Sequence, residues 1–340
     1  MGLYAAVAEL PLRIDELKLD GLELDVSTGF TRRTTVIRLR GGGEEGIGED
    51  VTYDGEAQLA LQERGDLELA GSHTLDSFSR LLDDVGLFAD APQQHAFLDY
   101  RRWAFESAAL DLALRQAGRS LAAAVAREPR PVRYVVSTRA TDLGPLLDRY
   151  PELRFKLDPT PEWTDGLIAS LPADRVDVVD LKGAYKGTVV DNPADADMYR
   201  RVAEAFPDAW IEDPDLTPET DEVLRPHRAR VTWDAPIHSV ADVEALPFPV
   251  RCLNVKPSRF GSIRRVFDFY DYCTEREIAL YGGGQFELGP GRGQIQYLAS
   301  LFHPDTGNDV SPVEFHAPEP PASAPRSPLP PPDPTAPGFR

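Results

Sequence analysis

Between residues 131 and 316 the chain repeats one pattern, in which a short apolar run typical of a β-strand is followed by an amphipathic segment. The strand-like runs are VRYVVST, RFKLD, VDVVDL, AWIEDP, RVTWD, CLNVKP and EIALYGG, and helix-like segments such as ADMYRRVAEAF and SIRRVFDFYDYCTE separate them. Strands that alternate with helical segments of about 10–15 residues predict βαβ units and a parallel sheet. Seven strands exceed what a small open sheet holds, so the repeat favours an α/β fold of the TIM-barrel type.

A polar residue recurs where five consecutive strands of this repeat end. These residues are Lys156 with Asp158, Asp180 with Lys182, Glu212, Asp234 and Lys256. The intervals 158–180, 212–234 and 234–256 are each 22 residues, which is one βα unit. Catalytic residues of TIM barrels lie at the carboxyl ends of the strands, so these side chains are candidates for one site. The alternative is that each of them caps the following helix or is solvated in a loop.

Three of these residues are carboxylates on successive strands: Asp180, Glu212 and Asp234. Like charges that converge on a barrel axis repel one another unless a cation neutralises them. Oxygen ligands select a hard ion, and three carboxylates with room for water and substrate suit Mg²⁺. Lys256, one strand beyond, would lie beside that ion, which favours a neutral amine able to take a proton.

The first 125 residues or so differ from the repeat and predict an α+β unit, with strands followed by helices. RTTVIRLR (33–40) alternates like a strand and meets the glycine-rich GGGEEGIGED, through which a meander would continue. FLDYRRWAFESAALDLALRQAG has apolar residues at helical spacing and ends at Gly118.

The last segment, 317–340, contains ten prolines among its 24 residues. Proline lacks an amide hydrogen and blocks a helix interior, so we expect this tail to be extended or disordered. It would then pack on the surface or stay mobile, and its PLPPP run leaves open a role as a proline-rich ligand for a partner.

Charge and cysteine content narrow the functional class. The chain has 36 Lys and Arg against 56 Asp and Glu, a formal net charge of -20, which disfavours nucleic acid and anionic membrane surfaces as partners. Two cysteines are too few for a disulfide framework, and the start MGLYAAVAE has no basic leader, so we expect a cytoplasmic protein. The sequence contains no run of about 18 apolar residues, so it predicts no membrane-spanning helix.

Taken in order, several motifs resemble the enolase superfamily. GGGEEGIGED resembles a glycine-rich stretch of its capping domain, and VVD180, WIE212DP and TWD234 resemble its three metal-ligand strands. LNVKPSRFGS resembles the strand that carries the lysine base, here Lys256, and YGGGQFELGPGRGQIQYLASL resembles the seventh-strand region of the muconate lactonizing subgroup. That subgroup includes cycloisomerases, o-succinylbenzoate synthases, N-acylamino acid racemases and dipeptide epimerases.

The resemblance implies a fold and a reaction. The fold would be an α+β capping domain (1–125), a (β/α)₇β barrel (126–316) and the Pro-rich tail (317–340). The reaction would begin with removal of the proton α to a carboxylate of a small Mg²⁺-bound substrate, followed by isomerisation, cycloisomerisation or elimination. Family habit further implies a homo-oligomer.

Two positions depart from the subgroup's pattern. Its second strand usually reads Lys-x-Lys, whereas this chain has Lys156-Leu-Asp158, and its third usually reads Asp-x-Asn, whereas this chain has Asp180-Leu-Lys182. Lys182 would pair with Asp158, act as a displaced basic group or remain solvated. A reaction with one base, Lys256, is therefore favoured over one with two. A catalytically degenerate protein that binds metal and ligand without turnover is the alternative function.

The resemblance also suggests residues that select the substrate. The loop 27–33 lies where the family's capping domain covers the barrel mouth, which makes Phe30, Arg32 and Arg33 candidates, with arginine able to grip a second carboxylate. A plain surface hairpin is the alternative. Glu287 resembles the glutamate of the seventh-strand motif and is a candidate to orient the substrate or a lysine.

Overall fold

The computed structural model describes residues 2–26, 29–65, 67–188, 190–317 and 319–340. Ser27 and Thr28, the first two positions of the predicted specificity loop, lie outside the described residues. Among the described residues, no helix combines the length and the apolar character that crossing a membrane requires.

The N-terminal unit combines a small antiparallel sheet with helices, as predicted. Its strands are β1 (Pro11–Ile14), β2 (Glu16–Asp25), β3 (Thr31–Gly41), β4 (Glu44–Asp50) and β5 (Gly71–Thr74), and its helices are α1 (Gly55–Gln62), α2 (Leu75–Asp84), α3 (Ala96–Gln116) and α4 (Leu121–Ala124). Strand β3 pairs with β2 on one side and with β4 on the other, while β1 pairs with β5.

The glycine-rich stretch of this unit serves close packing as well as the turn. Helix α3 lies directly against β4, and a Cβ atom at Gly46 or Gly48 would lie only 2.2 or 2.1 Å from the backbone oxygen of Ala108 or Ala104. Only glycine leaves room for that contact. Helix α3, buried along most of its length, thereby forms the centre of the capping domain.

The remaining elements build the barrel. Its strands are β6 (Val136–Thr138), β7 (Phe155–Leu157), β8 (Val176–Asp180), β9 (Trp210–Glu212), β10 (Val231–Thr232), β11 (Cys252–Val255) and β12 (Ala279–Gly282). Its helices are α5 (Gly144–Arg149), α6 (Asp165–Ser170), α7 (Ala196–Ala205), α8 (Pro218–Leu224), α9 (Val240–Glu244), α10 (Pro257–Phe260), α11 (Ile263–Glu275) and α12 (Pro290–Phe302).

Backbone hydrogen bonds lead around the whole ring. Strands β6 to β10 form one parallel sheet in sequence order, and β11 pairs in parallel with β12. The amide of Asn254 donates to Trp233 O (3.1 Å) and so joins β10 to β11. The short segment 308–309 makes parallel bridges to Gly283 and Tyr134, which join β12 to β6. This segment is the eighth strand, and the predicted (β/α)₇β barrel is confirmed.

The strand before Asp234 is shorter than the RVTWD run suggests and ends at Thr232. The amide of Asp234 donates to the Asp213 carboxylate (2.8 Å) instead of to a neighbouring strand. The Asp213 side chain, directly after β9, therefore takes the place of a neighbouring strand as the hydrogen-bond partner of Asp234.

The Pro-rich tail packs on both domains in an extended form. Leu329 pairs with Val132 of the barrel through two backbone hydrogen bonds (2.8 and 3.0 Å). Farther along, the amide of Phe339 donates to Asp111 of α3 (2.7 Å), and the Phe339 ring is completely buried near Tyr297. The described part of the tail thus connects the barrel to the capping domain.

Candidate active site

A cavity of about 730 Å³ lies at the carboxyl ends of the barrel strands, beneath the capping domain. Aromatic residues of the capping domain form one wall: Phe30, Tyr53, Phe97 and Tyr100. Cationic side chains of the barrel form much of the opposite wall: Arg139, Lys156, Lys182, Lys256, Arg259 and Arg292. The aromatic wall thus forms an apolar cover, and the opposite wall, hereafter the cationic floor, carries positive charge. This combination suits an organic anion.

A group of buried carboxylates lies at the strand ends near this floor. Asp180, Glu212 and Asp213 each offer an oxygen, and these oxygens all lie within 4.8 Å of one another. Asp180 ends β8 and Glu212 ends β9, as their sequence spacing predicts. All three side chains are almost completely inaccessible to solvent.

Asp213 is a site residue that sequence reasoning missed. Alternation along a strand would place it on the face opposite to Glu212. Its backbone instead takes a positive φ of 49°, and its carboxylate accepts the amides of Asp234 (2.8 Å) and Ala235 (2.9 Å). Burial, reinforced by the charges of Asp234 and Asp180, raises the pKa of Asp213 to about 7. In the sequence, only the position of Asp213 directly after Glu212 indicated that it lies near the site. That position does not show which way its side chain points.

Glu212 and Asp180 share the ammonium group of Lys156. Lys156 Nζ donates to Glu212 and lies 3.1 Å from Asp180, and its side chain is 1% exposed. Burial alone would lower the pKa of Lys156, but the charges of Glu212 and Asp180 outweigh it and hold that pKa well above its usual value. Glu212 also accepts the Tyr281 hydroxyl and the Asn254 amide (3.4 Å). Burial keeps the pKa of Glu212 above its ordinary range.

Asp234 faces different partners from those predicted. Its carboxylate lies 3.0 Å from Lys256 Nζ and 2.8 Å from the Arg259 guanidinium, and it accepts the Tyr185 hydroxyl (3.0 Å). Burial opposes ionisation, but Arg259 and Lys256 outweigh it and hold the pKa of Asp234 below its usual range. Asp180 and Glu212 of the predicted triad thus lie together with Asp213, while Asp234 contacts Lys256 and Arg259. The assignment of Asp234 as the third metal ligand stays a prediction.

Lys182 contacts both carboxylates that the sequence placed near it. Its ammonium donates to Asp180 and lies 3.6 Å from Asp158, while only 13% of the side chain is exposed. It is therefore not a solvated loop residue. Burial disfavours its charge, but Asp158 and Asp180 outweigh that effect and raise the pKa of Lys182. Asp158 also accepts Arg139 (3.2 Å), and its pKa is raised by burial against the pull of Lys182.

The candidates for substrate selection divide into two groups. Phe30 lines the cavity, with its ring 6.2 Å from that of Phe286. Arg32 is buried and donates to four backbone oxygens, and Arg33 pairs with Glu23 on the surface (2.7 Å). Neither guanidinium is directed at the cavity by these contacts, and their role in binding a carboxylate stays a prediction.

Glu287 is buried behind the cavity wall. It accepts the Gln285 amide (2.7 Å) and lies 3.2 Å from Arg292. Both of these neighbours line the cavity, so Glu287 contacts the cavity wall from behind.

The carboxylate group fits a hard divalent cation. Its donors are all oxygens, which a hard divalent cation prefers, and the oxygens lie within 4.8 Å of one another, close enough to converge on one ion. Lys156 and Lys182 compensate part of the negative charge of this group. The cluster can therefore hold a metal ion.

Comparison with known proteins agrees with this architecture. Residues 5–124 match the family model described as domain of unknown function (DUF8230) N-terminal domain, and residues 128–317 match its C-terminal counterpart. A 61-residue segment, 18% of this chain, is 34% identical to o-succinylbenzoate synthase of Bacillus subtilis (strain 168). That segment spans only 16% of the Bacillus protein.

Crystal structures with the same fold extend over nearly the whole chain. An enolase-superfamily member from Listeria innocua Clip11262 aligns with a TM-score of 0.68 at 20% identity, covering 96% of this chain and 92% of that one. Muconate lactonizing enzyme from Pseudomonas putida (TM-score 0.61, 19% identity) covers 88% of both chains. 2-Chloromuconate cycloisomerase from Rhodococcus opacus 1CP (TM-score 0.64, 20% identity) covers 87% of both. The chain thus belongs to the family described as domain of unknown function DUF8230, and its fold is that of the enolase superfamily.

Proposed function

We propose that the protein is a Mg²⁺-dependent enzyme that removes the proton α to the carboxylate of a small organic acid, with Lys256 as the base. The observation that carries the proposal is the position of Lys256. Its amine lines the cavity and lies 3.0 Å from Asp234, whose backbone amide is in turn held by Asp213 of the carboxylate group. A base and a metal site thus adjoin one cavity, which is the arrangement that α-proton abstraction requires.

The residues divide the work as follows. Asp180 and Glu212 would hold the ion together with Asp234, the predicted third ligand, or with Asp213 of the close group. When bound, the ion stabilises the negative charge that develops on the substrate carboxylate. The cationic floor attracts the substrate, and the aromatic wall excludes water around it. Lys256 Nζ takes the proton from the α-carbon, and the electron pair of the broken C–H bond stays on the substrate. Return of a proton, ring closure or loss of a leaving group then completes the reaction.

Abstraction is expected from one face of the substrate. Asp158 stands where the muconate lactonizing subgroup usually has a second lysine, and a carboxylate is a much weaker base than an amine. Asp158 is further engaged by Arg139 and lies 3.6 Å from Lys182. One enantiomer of a chiral substrate should therefore exchange its α-proton.

The test is deuterium exchange followed by NMR in D₂O, with N-acylamino acids, dipeptides and acid sugars as candidate substrates. Lys256→Ala should abolish exchange while Mg²⁺ still binds, and Asp158→Asn should retain part of it. Lys186→Ala is the control, since Lys186 is an exposed lysine that pairs with Asp215 (2.5 Å). Exchange that survives in Lys256→Ala would refute the assignment of the base.

A catalytically degenerate binding protein is the second candidate. The ion pairs of Lys156 and Lys182 with Glu212 and Asp180 favour it, because two ammonium groups already occupy oxygens of these carboxylates. Its mark would be binding of an organic acid without exchange or turnover. A scaffold that recruits partners through the tail has less support, because Leu329, the second residue of PLPPP, is already paired with Val132.

Two broader expectations accompany the proposal. The protein would act in the cytoplasm, in keeping with two free and buried cysteines, Cys252 and Cys273. It would also assemble as a homo-oligomer, which sedimentation velocity would test.

A further inference from the structure

Lys182 engages both oxygens of Asp180. Its backbone amide donates to Oδ1 (3.1 Å), and its ammonium donates to Oδ2. The backbone of Lys182 has a positive φ of 56°, a conformation that L-residues seldom adopt. This turn folds the side chain back toward the carboxylate two residues earlier. Lys182 also lines the cavity, so its side chain covers Asp180 from the side on which a substrate would enter.

A second carboxylate is ready to receive the same ammonium. Asp158 Oδ1 lies 3.6 Å from Lys182 Nζ and is buried without a hydrogen-bond partner. The other oxygen, Oδ2, accepts the Arg139 guanidinium (3.2 Å). A buried, unpaired carboxylate oxygen is costly, and it gains a full hydrogen bond if Lys182 moves the short distance toward it.

The neighbouring lysine also has a further carboxylate within reach, but more contacts hold it in place. Lys156 is 1% exposed and held between Glu212 and Asp180, and its next carboxylate, Asp309, is 3.7 Å away. Moving to Asp309 would break the contacts of Lys156 with two carboxylates of the group, whereas Lys182 contacts only Asp180 among them and is 13% exposed. Of the two ammonium groups on Asp180, Lys182 is therefore the one that can leave.

We propose that Lys182 exchanges partners when the cluster binds a divalent cation: it neutralises Asp180 in the ion-free protein and pairs with Asp158 in the ion-bound protein. An ammonium group and a metal ion compete for the same oxygen, and their charges repel each other. Asp158 lowers the cost of displacement because it receives the displaced charge. This inference rests on the metal site of the proposed function, but it concerns Lys182 and Asp158, which are not ligands.

The exchange assigns a role to Asp158, which stands at a position where the related subgroup has a lysine. Asp158 becomes a positioning residue that holds the displaced ammonium in the cavity wall beside Arg139. Ion binding and the charge presented to the substrate are then linked, because loading the site moves a positive charge from the carboxylate cluster toward the cavity.

The test is a double-mutant cycle on Mg²⁺ affinity, measured by isothermal titration calorimetry of the full chain with Mg²⁺ alone. Lys182→Met should tighten Mg²⁺ binding about tenfold because it removes the competitor, and Asp158→Asn should weaken it about tenfold because it removes the acceptor. In the Lys182→Met background, Asp158→Asn should change the affinity less than about twofold. Lys186→Met, which removes the same charge from an exposed site in the same loop, should leave it unchanged.

The outcomes separate the inference from the function on which it rests. If Asp158→Asn weakens binding equally in both backgrounds, or Lys186→Met acts like Lys182→Met, general electrostatics explains the data and the exchange is refuted while the metal site stands. If neither the native protein nor Lys182→Met binds Mg²⁺, the proposed function fails as well. Asp158→Ser replaces Asp158→Asn if that variant does not fold, as judged by circular dichroism, and the same coupling is expected.

Discussion

Arg32 offers a direct test of how the capping domain is attached to the barrel. Its guanidinium donates to backbone oxygens on both sides of the domain boundary. The acceptors are Val51 O (2.6 Å) and Thr52 O (2.9 Å) in the capping domain, and Gln285 O (2.9 Å) and Phe286 O (3.3 Å) in the barrel loop after β12. The side chain is 1% exposed. Arg32→Met keeps much of the side chain's length and apolar bulk but removes every donor.

The expected loss of stability follows from these contacts. A hydrogen bond from a charged donor contributes about 1.5–3 kcal/mol, and four bonds that share one guanidinium do not add fully. Allowing for that, we expect Arg32→Met to lower the free energy of unfolding by about 4 kcal/mol, since buried carbonyls lose their donor. Arg33→Met is the matched control. Arg33 forms an ion pair with Glu23 on the surface, where solvent screens the charges, so its removal should change the stability little.

Urea unfolding followed by circular dichroism measures both variants. Because Gln285 and Phe286 line the cavity, Arg32→Met should also weaken substrate binding once a substrate is known. If Arg32→Met is no less stable than Arg33→Met, while only its KM rises, then Arg32 grips the substrate as the sequence suggested and the structural reasoning is refuted.

Two further predictions concern stability. Burial lowers the pKa of His303 to about 4, whereas the unfolded chain titrates near 6.5, so its imidazole stays neutral in the native state while the unfolded state takes up a proton. His303 therefore lowers the free energy of unfolding as pH falls from about 6.5 to about 4, by up to about 3 kcal/mol. With His303→Gln, this free energy should decline less steeply than with the exposed control His95→Gln. Parallel curves for the two variants would contradict the prediction. Phe339→Ala should destabilise the protein by about 3–5 kcal/mol, measured by urea unfolding, because the ring is fully buried. Phe30→Ala, at an exposed position, should cost less than about 1 kcal/mol. Equal losses would mean that the tail does not hold the domains together.

Much of the architecture could be predicted from local patterns. Strands 22 residues apart, each ending in a polar residue, indicated a barrel with a site at its carboxyl end, and Asp180 and Glu212 lie there together. The glycine-rich stretch was recognised only as a motif and a turn. Its packing role could not be predicted, because it depends on how closely α3 approaches Gly46 and Gly48.

The candidate site was predicted less completely than the fold. Asp213 was missed because alternation along a strand points it away, and a positive φ, held by the amides of Asp234 and Ala235, reverses that direction. Arg259 was missed because the short helix that follows Lys256 brings it onto Asp234, and its three-residue spacing from Lys256 was the only signal. The roles of Lys256, Phe30 and Glu287 in a reaction stay predictions.

The sequence by itself determined the order of the elements and the residue types at the strand ends, because apolar spacing and strand length are local properties that act within a few residues. Only the tertiary structure decided which charges pair. Asp180 lies between Lys182 and Lys156, Asp234 lies against Arg259, and Arg32 turns to backbone carbonyls of another domain. Such pairings depend on distances between residues far apart in the chain and on burial that removes competing water. The sequence therefore indicates which charged groups gather at the site, and the fold selects the partner of each one.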